Sequence, residues 1–324
     1  MPNLSAFRPI FLFMPFVLAA CANPVETRAA SSYEFAELAA PRAAGIRLTV
    51  VITARTSAPE AILFEGGNWL TERPMAHSAV LVCHRDGLVM FDTGLGRQID
   101  SQFEDMPLLL KPLLSYEVTS PVADQVDLDV FCPGRPLEIA LSHMHWDHAS
   151  AIEDFPDTPV FVPDSELASA RQSGNGHGYL ASQFDDPDID WRGLDFTGSA
   201  YRNYPSSLDR FGDGSVVFVP MDGHSAGSMG LFVNMPDGQS WFFTGDTSWS
   251  LDGFTRPAHK NAIIRVIVDR DVAGVEQELQ RVHALLEREP GLVVIPAHDF
   301  NAYPPEAIYP RVIEAVELRM PDEG

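Results

Sequence analysis

The stretch LSHMHWDHAS, residues 141–150, places three histidines and one aspartate within six positions. The whole chain holds only 10 histidines among 324 residues, so a chance cluster of this density is rare. His143 and His145 are two apart, a spacing that puts side chains on one side of an extended segment but on different sides of a helix. Because the preceding EIAL is typical of a strand, we predict that the cluster lies on a loop leaving a strand.

Further metal-binding candidates follow apolar runs elsewhere in the chain. Asp147 and His148 are adjacent, so they face a different direction from the first histidine pair, and one segment can serve two neighbouring ions. The runs VVFVPMDGH, WFFTGD and LVVIPAH end in His224, Asp246 and His298. Four strands that each deliver a histidine or an aspartate predict a centre for two divalent ions.

This ligand set indicates the chemistry. Imidazole and carboxylate suit zinc, our first expectation, and also manganese or iron. Two close cations lower the pKa of a bridging water, and the resulting hydroxide attacks a polarised carbonyl or phosphoryl group. The pattern therefore predicts metal-assisted hydrolysis of a small-molecule substrate.

The motifs resemble those of the metallo-β-lactamase superfamily over about residues 45–300. The segments that carry the resemblance are HMHWDH at 143–148, GHSAGS at 223–228, TGD at 244–246 and PAHD at 296–299. The resemblance implies an α/β (α+β) fold, a four-layer αβ/βα sandwich with the metals at the edge of two sheets. It assigns one ion to His143, His145 and His224, a second to Asp147, His148 and His298, and Asp246 as the bridge. Asp147 and Asp246 would then act with the bridging hydroxide.

The pattern is most similar to the acyl-homoserine-lactonase-like branch. True β-lactamases of the superfamily generally lack a bridging aspartate like Asp246, and electron-transferring relatives carry glutamate where His145 stands. That branch often has tyrosine three residues after the bridging aspartate, where this chain has Trp249. We predict hydrolysis of a small ester or lactone. The alternatives are a phosphodiesterase, a thioesterase, an iron-dependent persulfide dioxygenase or a non-catalytic metal-binding envelope lipoprotein.

Other residues are candidates for supporting roles. Asp92 in FDTGLG either orients a ligand histidine or occupies a turn before a glycine. Ser228 in GHSAGS is a second candidate for supporting the ligands. The predicted substrate pocket contains Phe64, Trp69, Trp249 and His259.

The N-terminus is typical of a bacterial lipoprotein signal. Residues 1–20 combine one charge, an apolar run and small residues before Cys21. We expect cleavage before Cys21, its lipidation, a flexible tether over 21–42 and one domain over 43–324. The expected location is the outer membrane, facing the periplasm; a transmembrane anchor is the alternative.

The net charge bears on binding partners, and the cysteines bear on a possible disulfide. The formal net charge of -23 repels nucleic acid, so we predict no nucleic-acid partner. Cys83 and Cys132 either form a disulfide, as an exported protein allows, or stay free. The run AVLVCH is typical of a buried strand, which favours a free thiol at Cys83.

Four secondary-structure predictions follow from the patterns. Residues 77–94 predict a hairpin that turns at Arg85–Gly87. Apolar spacing predicts helices over 100–116, 271–288 and about 305–320.

Overall fold

The first β-sheet has eight strands among the residues described by the computed structural model, namely 25, 27–36, 41, 45–111 and 114–314. A path of seven strands runs β13-β1-β2-β3-β5-β6-β7, and β4 pairs with β1. Its strands are β1 (Arg47–Pro59), β2 (Glu72–His84), β3 (Gly87–Phe91), β4 (Glu117–Val118), β5 (Leu137–Ala140), β6 (Val160–Val162), β7 (Trp191–Gly193) and β13 (Ile313–Glu314).

The second sheet has five strands among the described residues, in the order β12-β11-β10-β9-β8. Its strands are β8 (Leu208–Asp209), β9 (Val216–Pro220), β10 (Met229–Asn234), β11 (Ser240–Phe243) and β12 (Val293–Ile295). Strands β11 and β12 are parallel, as are β3 and β5 in the first sheet. Because parallel neighbours end at the same edge, the loops that follow them meet there.

The helices are mostly short. They are α1 (Glu60–Leu63), α2 (Ile99–Gln102), α3 (Val122–Gln125), α4 (Leu128–Phe131), α5 (Asp164–Ser173), α6 (Asp252–Thr255), α7 (Ala262–Val268) and α8 (Val272–Arg288). Within the described part of the chain, no helix is long and apolar enough to span a bilayer.

The packing forms the expected four layers. One apolar cluster joins the facing surfaces of the two sheets, including Val50, Phe91, Phe218 and Leu231. A second cluster covers the outer face of the first sheet. A third packs α8 on the outer face of the second sheet. The order helix, sheet, sheet, helix confirms the predicted αβ/βα sandwich.

The hairpin and one predicted helix are confirmed. His84 pairs with Gly87 across the turn between β2 and β3. Helix α8 begins after Asp271, whose side chain accepts the backbone N–H of Ala273 at 3.0 Å. This cap satisfies a donor at the helix start, and buried Val275, Leu279 and Val282 follow the apolar period that predicted the helix.

The other two helix predictions are wrong over the described residues. In 100–116, the helix is continuous only to Asp105, because Pro107 forces the preceding Met106 into an extended conformation, and residues 108–111 form a separate turn. In 305–320, only a single 3₁₀ turn forms at Pro305–Ala307, and the chain then pairs with β1 through β13. Pro310 lacks the N–H that a continuing helix needs. Residues 315–320 lie outside the described ranges.

The preference for free cysteines is also wrong. Cys83 at the end of β2 and Cys132 after α4 form a disulfide, with Cα atoms 5.5 Å apart. Both residues are buried in the cluster on the outer face of the first sheet. The partner of Cys83 lies 49 residues further along the chain, and the local apolar pattern around Cys83 carries no information about it.

Part of the predicted tether lies against the domain. The backbone N–H of Ala36 donates to the carbonyl of Arg202 at 2.7 Å. The ring of Phe35 lies 5.7 Å from the Arg288 guanidinium, and Val25 is buried in the α8 cluster. Cys21 and the signal region lie outside the described residues, so cleavage and lipidation stay predictions.

A buried carboxyl on α8 predicts a pH-dependent stability. Burial raises the pKa of Glu278 from 4.5 to about 7, although Arg281 Nε donates to its Oε1 at 3.1 Å. The folded state therefore holds a proton that the unfolded state loses near pH 4.5. This contribution to stability is fully present below about pH 4.5 and falls by about 3 kcal/mol as the pH rises through 7.

Urea unfolding at pH 5 and pH 8 measures this contribution. We expect Glu278→Gln to lose most of the decrease that the wild type shows between these pH values. Glu306→Gln, a change at an exposed carboxylate, serves as the control and should keep the wild-type decrease. Equal pH dependence in Glu278→Gln and the wild type would contradict the shifted pKa.

Candidate metal centre

Seven predicted ligands meet at one edge of the sandwich. The loops after β5, β9, β11 and β12 deliver them, and each side chain is at most 6% exposed. The seven are His143, His145, Asp147, His148, His224, Asp246 and His298. Chain segments up to 155 residues apart in sequence therefore converge on a single buried point.

Three histidine nitrogens form the first cluster. His224 Nε2 lies 3.1 Å from His143 Nε2 and 3.0 Å from His145 Nδ1. The remaining nitrogen of His224 lies 2.8 Å from Asp269 Oδ1, so its N–H points to that carboxylate and its Nε2 carries a lone pair. His143 Nδ1 likewise faces Ser142 Oγ at 2.9 Å.

This cluster fits a cation. Burial, followed by the charges of neighbouring histidines, lowers the pKa of His143 and His145 well below the usual value. Neutral imidazoles present lone pairs, and lone pairs that converge without donors repel each other. A metal ion at their centre removes that repulsion, and neutral imidazole is the form that binds metals.

Carboxylates and histidines form the second cluster. His298 Nε2 lies 3.2 Å from Asp147 Oδ2 and 3.1 Å from Asp246 Oδ2. His148 Nε2 lies 3.2 Å from Asp246 Oδ1. His148 Nε2 and Asp246 Oδ1 are buried without a hydrogen bond of good geometry among the described residues. Buried polar atoms of this kind need a partner, and a metal ion suits both.

Asp246 contacts both clusters. Its Oδ2 lies 3.6 Å from His224 Nε2 and 3.1 Å from His298 Nε2, and its Oδ1 faces His148. Each cluster thus borders the same carboxylate. This arrangement fits the predicted bridge.

Electrostatics keep the two carboxylates charged. Burial would raise the pKa of Asp147 and Asp246, but the neighbouring histidines outweigh it and hold both pKa values below the usual range. Burial would lower the pKa of His148 and His298. The carboxylate of Asp92 and that of Asp246 raise the pKa of His148, and Asp246 raises that of His298. Paired negative charge in a buried site suits a cation.

Asp92 supports the ligand loop from β3. Its Oδ2 lies 2.8 Å from His148 Nδ1 and accepts Ser142 Oγ at 2.8 Å, while its Oδ1 accepts the Ser142 N–H at 2.6 Å. Its φ of 57° is the left-handed conformation typical of a turn aspartate. Asp92 therefore both contacts the candidate ligand His148 and occupies the turn. Ser228 Oγ instead accepts the N–H of Ser225 at 2.9 Å and orders the loop after His224.

Two supporting residues escaped the sequence analysis. Glu166 near the start of α5 is fully buried and accepts the N–H of Met144 and that of Gly227, each at 2.9 Å. It therefore joins the loops that carry His145 and His224. Gly178 packs on the His145 ring, where an added Cβ would lie 2.7 Å from Cδ2. Neither residue belongs to a local motif.

His77 is the third omission. It lies in β2, and its Nδ1 is 3.0 Å from Asp147 Oδ2. Together with Asp147 and His298 it forms a group whose ligand atoms all lie within 4.8 Å of one another. A single histidine in an alternating strand carries no sequence signal. Only the pairing of β2 in the sheet brings it to this edge.

An apolar cavity opens beside the metal centre. Its floor includes His145, Asp147, Asp246 and His298, and Trp249 forms part of its wall. The apolar side chains that line it include Ile62, Met75, Leu110, Leu114, Ile264 and Ile267. Trp249 Nε1 donates to Asp246 Oδ2 at 2.8 Å, so the residue in the tyrosine position holds a ligand carboxylate.

Three residues predicted for the pocket lie outside this lining. Phe64 is buried in a small core cluster, because α1 turns its ring inward. Trp69 is 60% exposed on the loop before β2. His259 Nε2 faces Glu276 at 3.5 Å, and its carbonyl accepts the N–H of Glu65 at 2.7 Å. Phe64, Trp69 and His259 are close in sequence to residues that line the cavity, but their side chains point elsewhere.

The chain belongs to the Metallo-beta-lactamase superfamily. The sequence profile of that family matches residues 73–298, from the start of β2 to the last predicted ligand, which is more than half of the chain.

Within the family, the similar proteins include lactonases. The N-acyl homoserine lactonase AttM of Rhizobium radiobacter is 27% identical over 182 residues, 56% of this chain and 64% of that protein. The chain therefore matches a little under two thirds of the length of AttM. A probable metallo-hydrolase of Mycobacterium tuberculosis is 28% identical over 256 residues, 70% of this chain and 78% of that protein.

Solved structures share the fold. A B. thuringiensis AiiA variant with N-decanoyl-L-homoserine bound at its active site has a TM-score of 0.62 and 17% identity, covering 82% of this chain and 98% of that chain. The dizinc quorum-quenching lactonase AidC has a TM-score of 0.51 and 15% identity, covering 82% of this chain and 90% of that chain.

Proposed function

We propose that this protein is a binuclear metal-dependent hydrolase that cleaves a small ester or lactone carrying an apolar chain. The observation that carries the proposal is the position of the Asp246 carboxylate, 3.6 Å from His224 in one cluster and 3.1 Å from His298 in the other, on the lining of an apolar cavity. A structural zinc site is usually closed by four protein ligands. A centre that borders a cavity is instead suited to a substrate.

The residues divide into two ligand sets. His143, His145 and His224 would hold one ion, Asp147, His148 and His298 the other, and Asp246 would bridge them, with zinc favoured over manganese or iron. The bound ions would activate water and polarise the scissile carbonyl. His77 is placed to orient Asp147 through the contact from Nδ1 to Oδ2.

The protein's own groups complete the reaction. The Asp147 carboxylate, which lines the cavity, would carry a proton from the attacking water to the leaving oxygen of the ester. Trp249 fixes Asp246 with its N–H, which is therefore not free for the substrate. The leaving group thus depends on Asp147 rather than on a residue in the tyrosine position.

The apolar wall supports the substrate class. Ile264 and Ile267 of α7 face Leu110 and Leu114 around the same cavity that contains the candidate ligands. An acyl chain that fills this space removes apolar surface from water, worth about 0.8 kcal/mol per methylene. N-acyl lactones are the substrates named for several similar proteins, and they combine a lactone with such a chain.

A substrate panel tests this function. It contains acyl lactones of increasing chain length, an aryl ester, a bis-aryl phosphodiester, a thioester and a β-lactam. We expect lactones or esters to be preferred, with kcat/KM increasing about fourfold per added methylene until the wall is covered. Preference for the phosphodiester or thioester would favour those alternatives, and no turnover of any substrate would contradict the proposal.

Two substitutions on α7 sharpen that result. Ile267→Ser should flatten the dependence on chain length while short substrates react as before, because the hydroxyl replaces apolar wall. Ile263→Ser is the matched control, since Ile263 is 71% exposed on the same helix. Equal chain-length dependence in Ile267→Ser and the wild type would show that the chain binds elsewhere.

We further propose that the protein is exported and anchored through lipid on Cys21. The disulfide between Cys83 and Cys132 supports this location, since disulfides persist in the periplasm and are rare in the cytosol. Cys21→Ser should move the protein from the membrane fraction to the soluble fraction of a fractionated cell. Continued membrane attachment of that variant would contradict a lipid anchor on Cys21.

A further inference from the structure

A fully buried lysine lies beside the metal centre. Lys260 is 1% exposed, and its Nζ lies 2.7 Å from Asp269 Oδ1 and 3.2 Å from the carbonyl of Thr247. A buried ammonium group costs several kcal/mol of desolvation, which only close partners offset. The chain has only one other lysine, Lys111, so a buried lysine is not expected here simply because lysine is abundant.

Lys260 reaches the first ligand cluster through one intermediary. The same Oδ1 of Asp269 that accepts from Lys260 lies 2.8 Å from His224 Nδ1. Asp269 therefore fixes the His224 ring so that Nε2 faces His143 and His145. The ammonium group adds charge and a hydrogen bond that hold the carboxylate in this position.

The same cation contacts the segment that carries Asp246. Thr247, whose carbonyl accepts from Nζ, is the next residue after Asp246. Nζ also lies 5.8 Å from the centre of the Trp249 ring, and Trp249 donates to Asp246. One ammonium group therefore stands between the loop of the bridging carboxylate and the carboxylate that orients His224.

Lys260 and Asp269 also flank the cavity wall in the chain. They enclose α7, which has no buried residue of its own although Ile264 and Ile267 line the cavity. The ion pair between Lys260 and Asp269 therefore joins the two ends of the segment that contains α7. Asn261 at its start further donates to the carbonyl of Ala61 at 3.1 Å.

We propose that Lys260 is a positioning residue that couples the α7 substrate wall to the metal centre, through Asp269 to His224 and through Thr247 to the Asp246 loop. This inference rests on the proposed metal-dependent function. Loss of the ammonium group leaves the Asp269 carboxylate buried without its cation. The ends of the α7 segment are then no longer joined by an ion pair, and the His224 ring is held less firmly by Asp269.

Zinc binding by the full chain, measured by competition with a chromophoric chelator, tests the proposal. We expect Lys260→Met to weaken zinc binding at the site that contains His224 by about 10-fold to 100-fold. Binding of the second zinc should weaken less, because Lys260 reaches that site only through the Asp246 loop. Trypsin should also cut faster after Arg265 in α7. A residue that contributes only to stability would lower the unfolding temperature without this selective loss.

Controls separate the possible outcomes. Lys111→Met should bind two zinc ions like the wild type. Asp269→Asn keeps the shape of the pair without its charge; it should also weaken the His224 site, and it supplies the test if Lys260→Met does not fold. At the His224 site the double variant should lose little more zinc affinity than either single variant, since both substitutions break the link through Asp269. Wild-type zinc affinity in Asp269→Asn or Lys260→Met would overturn the coupling, whereas a wild type that binds no zinc would overturn the proposed function itself.

Discussion

Replacement of Asp246 by asparagine is expected to reduce kcat/KM for the best substrate of the panel by about a thousandfold or more. The substitution keeps the size of the side chain but removes the charge that faces His148, His298 and His224. Two cations would then lose their shared anionic ligand. Metal analysis of the purified variant should give fewer than two ions per chain.

The control for this experiment is Asp237→Asn. Asp237 is exposed in the turn between β10 and β11 of the same sheet, and its Oδ1 accepts only the N–H of Gln239 at 3.0 Å among the described contacts. We expect full activity and full metal content from it. Wild-type turnover by Asp246→Asn would show that the bridging role has been assigned to the wrong residue.

Substitution of Gly178 by alanine is expected to reduce activity about a hundredfold although it replaces none of the predicted ligands. The new Cβ would lie 2.7 Å from His145 Cδ2 and 2.9 Å from its Nε2. The backbone at Gly178 has a φ of +86°, so the alanine cannot relax without strain. His145 must shift away from His224, and a displacement of about 1 Å in such a site costs about two orders of magnitude in rate.

Gly174 offers a matched control for this prediction. It also has a positive φ, of 57°, but an added Cβ there meets no atom within 4 Å. Gly174 has a ψ of -124°, a conformation that residues with a Cβ rarely adopt, so Gly174→Ala should lose about 1–3 kcal/mol of stability from the backbone alone and keep its zinc and its activity. If the two variants were equally active, contact with the His145 ring would not matter to the site.

The strand ends and the candidate ligands that follow them could be located from the sequence because they depend on local pattern. Apolar runs such as WFF before Asp246 and VVI before His298 specify buried strands, and the polar residue that follows each must lie at the sheet edge. Spacing alone placed His143 and His145 on one side of an extended loop. Family resemblance then assigned these residues to two ions.

The errors have two causes: prolines, which apolar spacing does not take into account, and contacts between segments that are distant in sequence. Pro107 and Pro310 stopped helices that the apolar spacing favoured, since spacing describes side chains and not the missing N–H of proline. The partner of Cys83 lies in another loop. Trp69 and Phe64 followed a pocket-like composition, yet α1 and its loop point them away from the cavity.

The supporting residues of the site could not be predicted because they act through contacts between segments that are distant in sequence. His77, Glu166 and Lys260 act from β2, α5 and the loop before α7, and none lies within a motif. Each was identified by its distance to a group from a remote segment, such as 2.7 Å from Lys260 Nζ to Asp269. Burial of a charged side chain is a signal that only the folded structure supplies.

The most direct test of the account is anomalous diffraction at the zinc edge from crystals grown with zinc. We predict two peaks in each molecule, one enclosed by His143, His145 and His224 and one enclosed by Asp147, His148 and His298, with Asp246 in contact with both. A single peak, or peaks confined to surface carboxylates while these side chains enclose none, would contradict the binuclear centre.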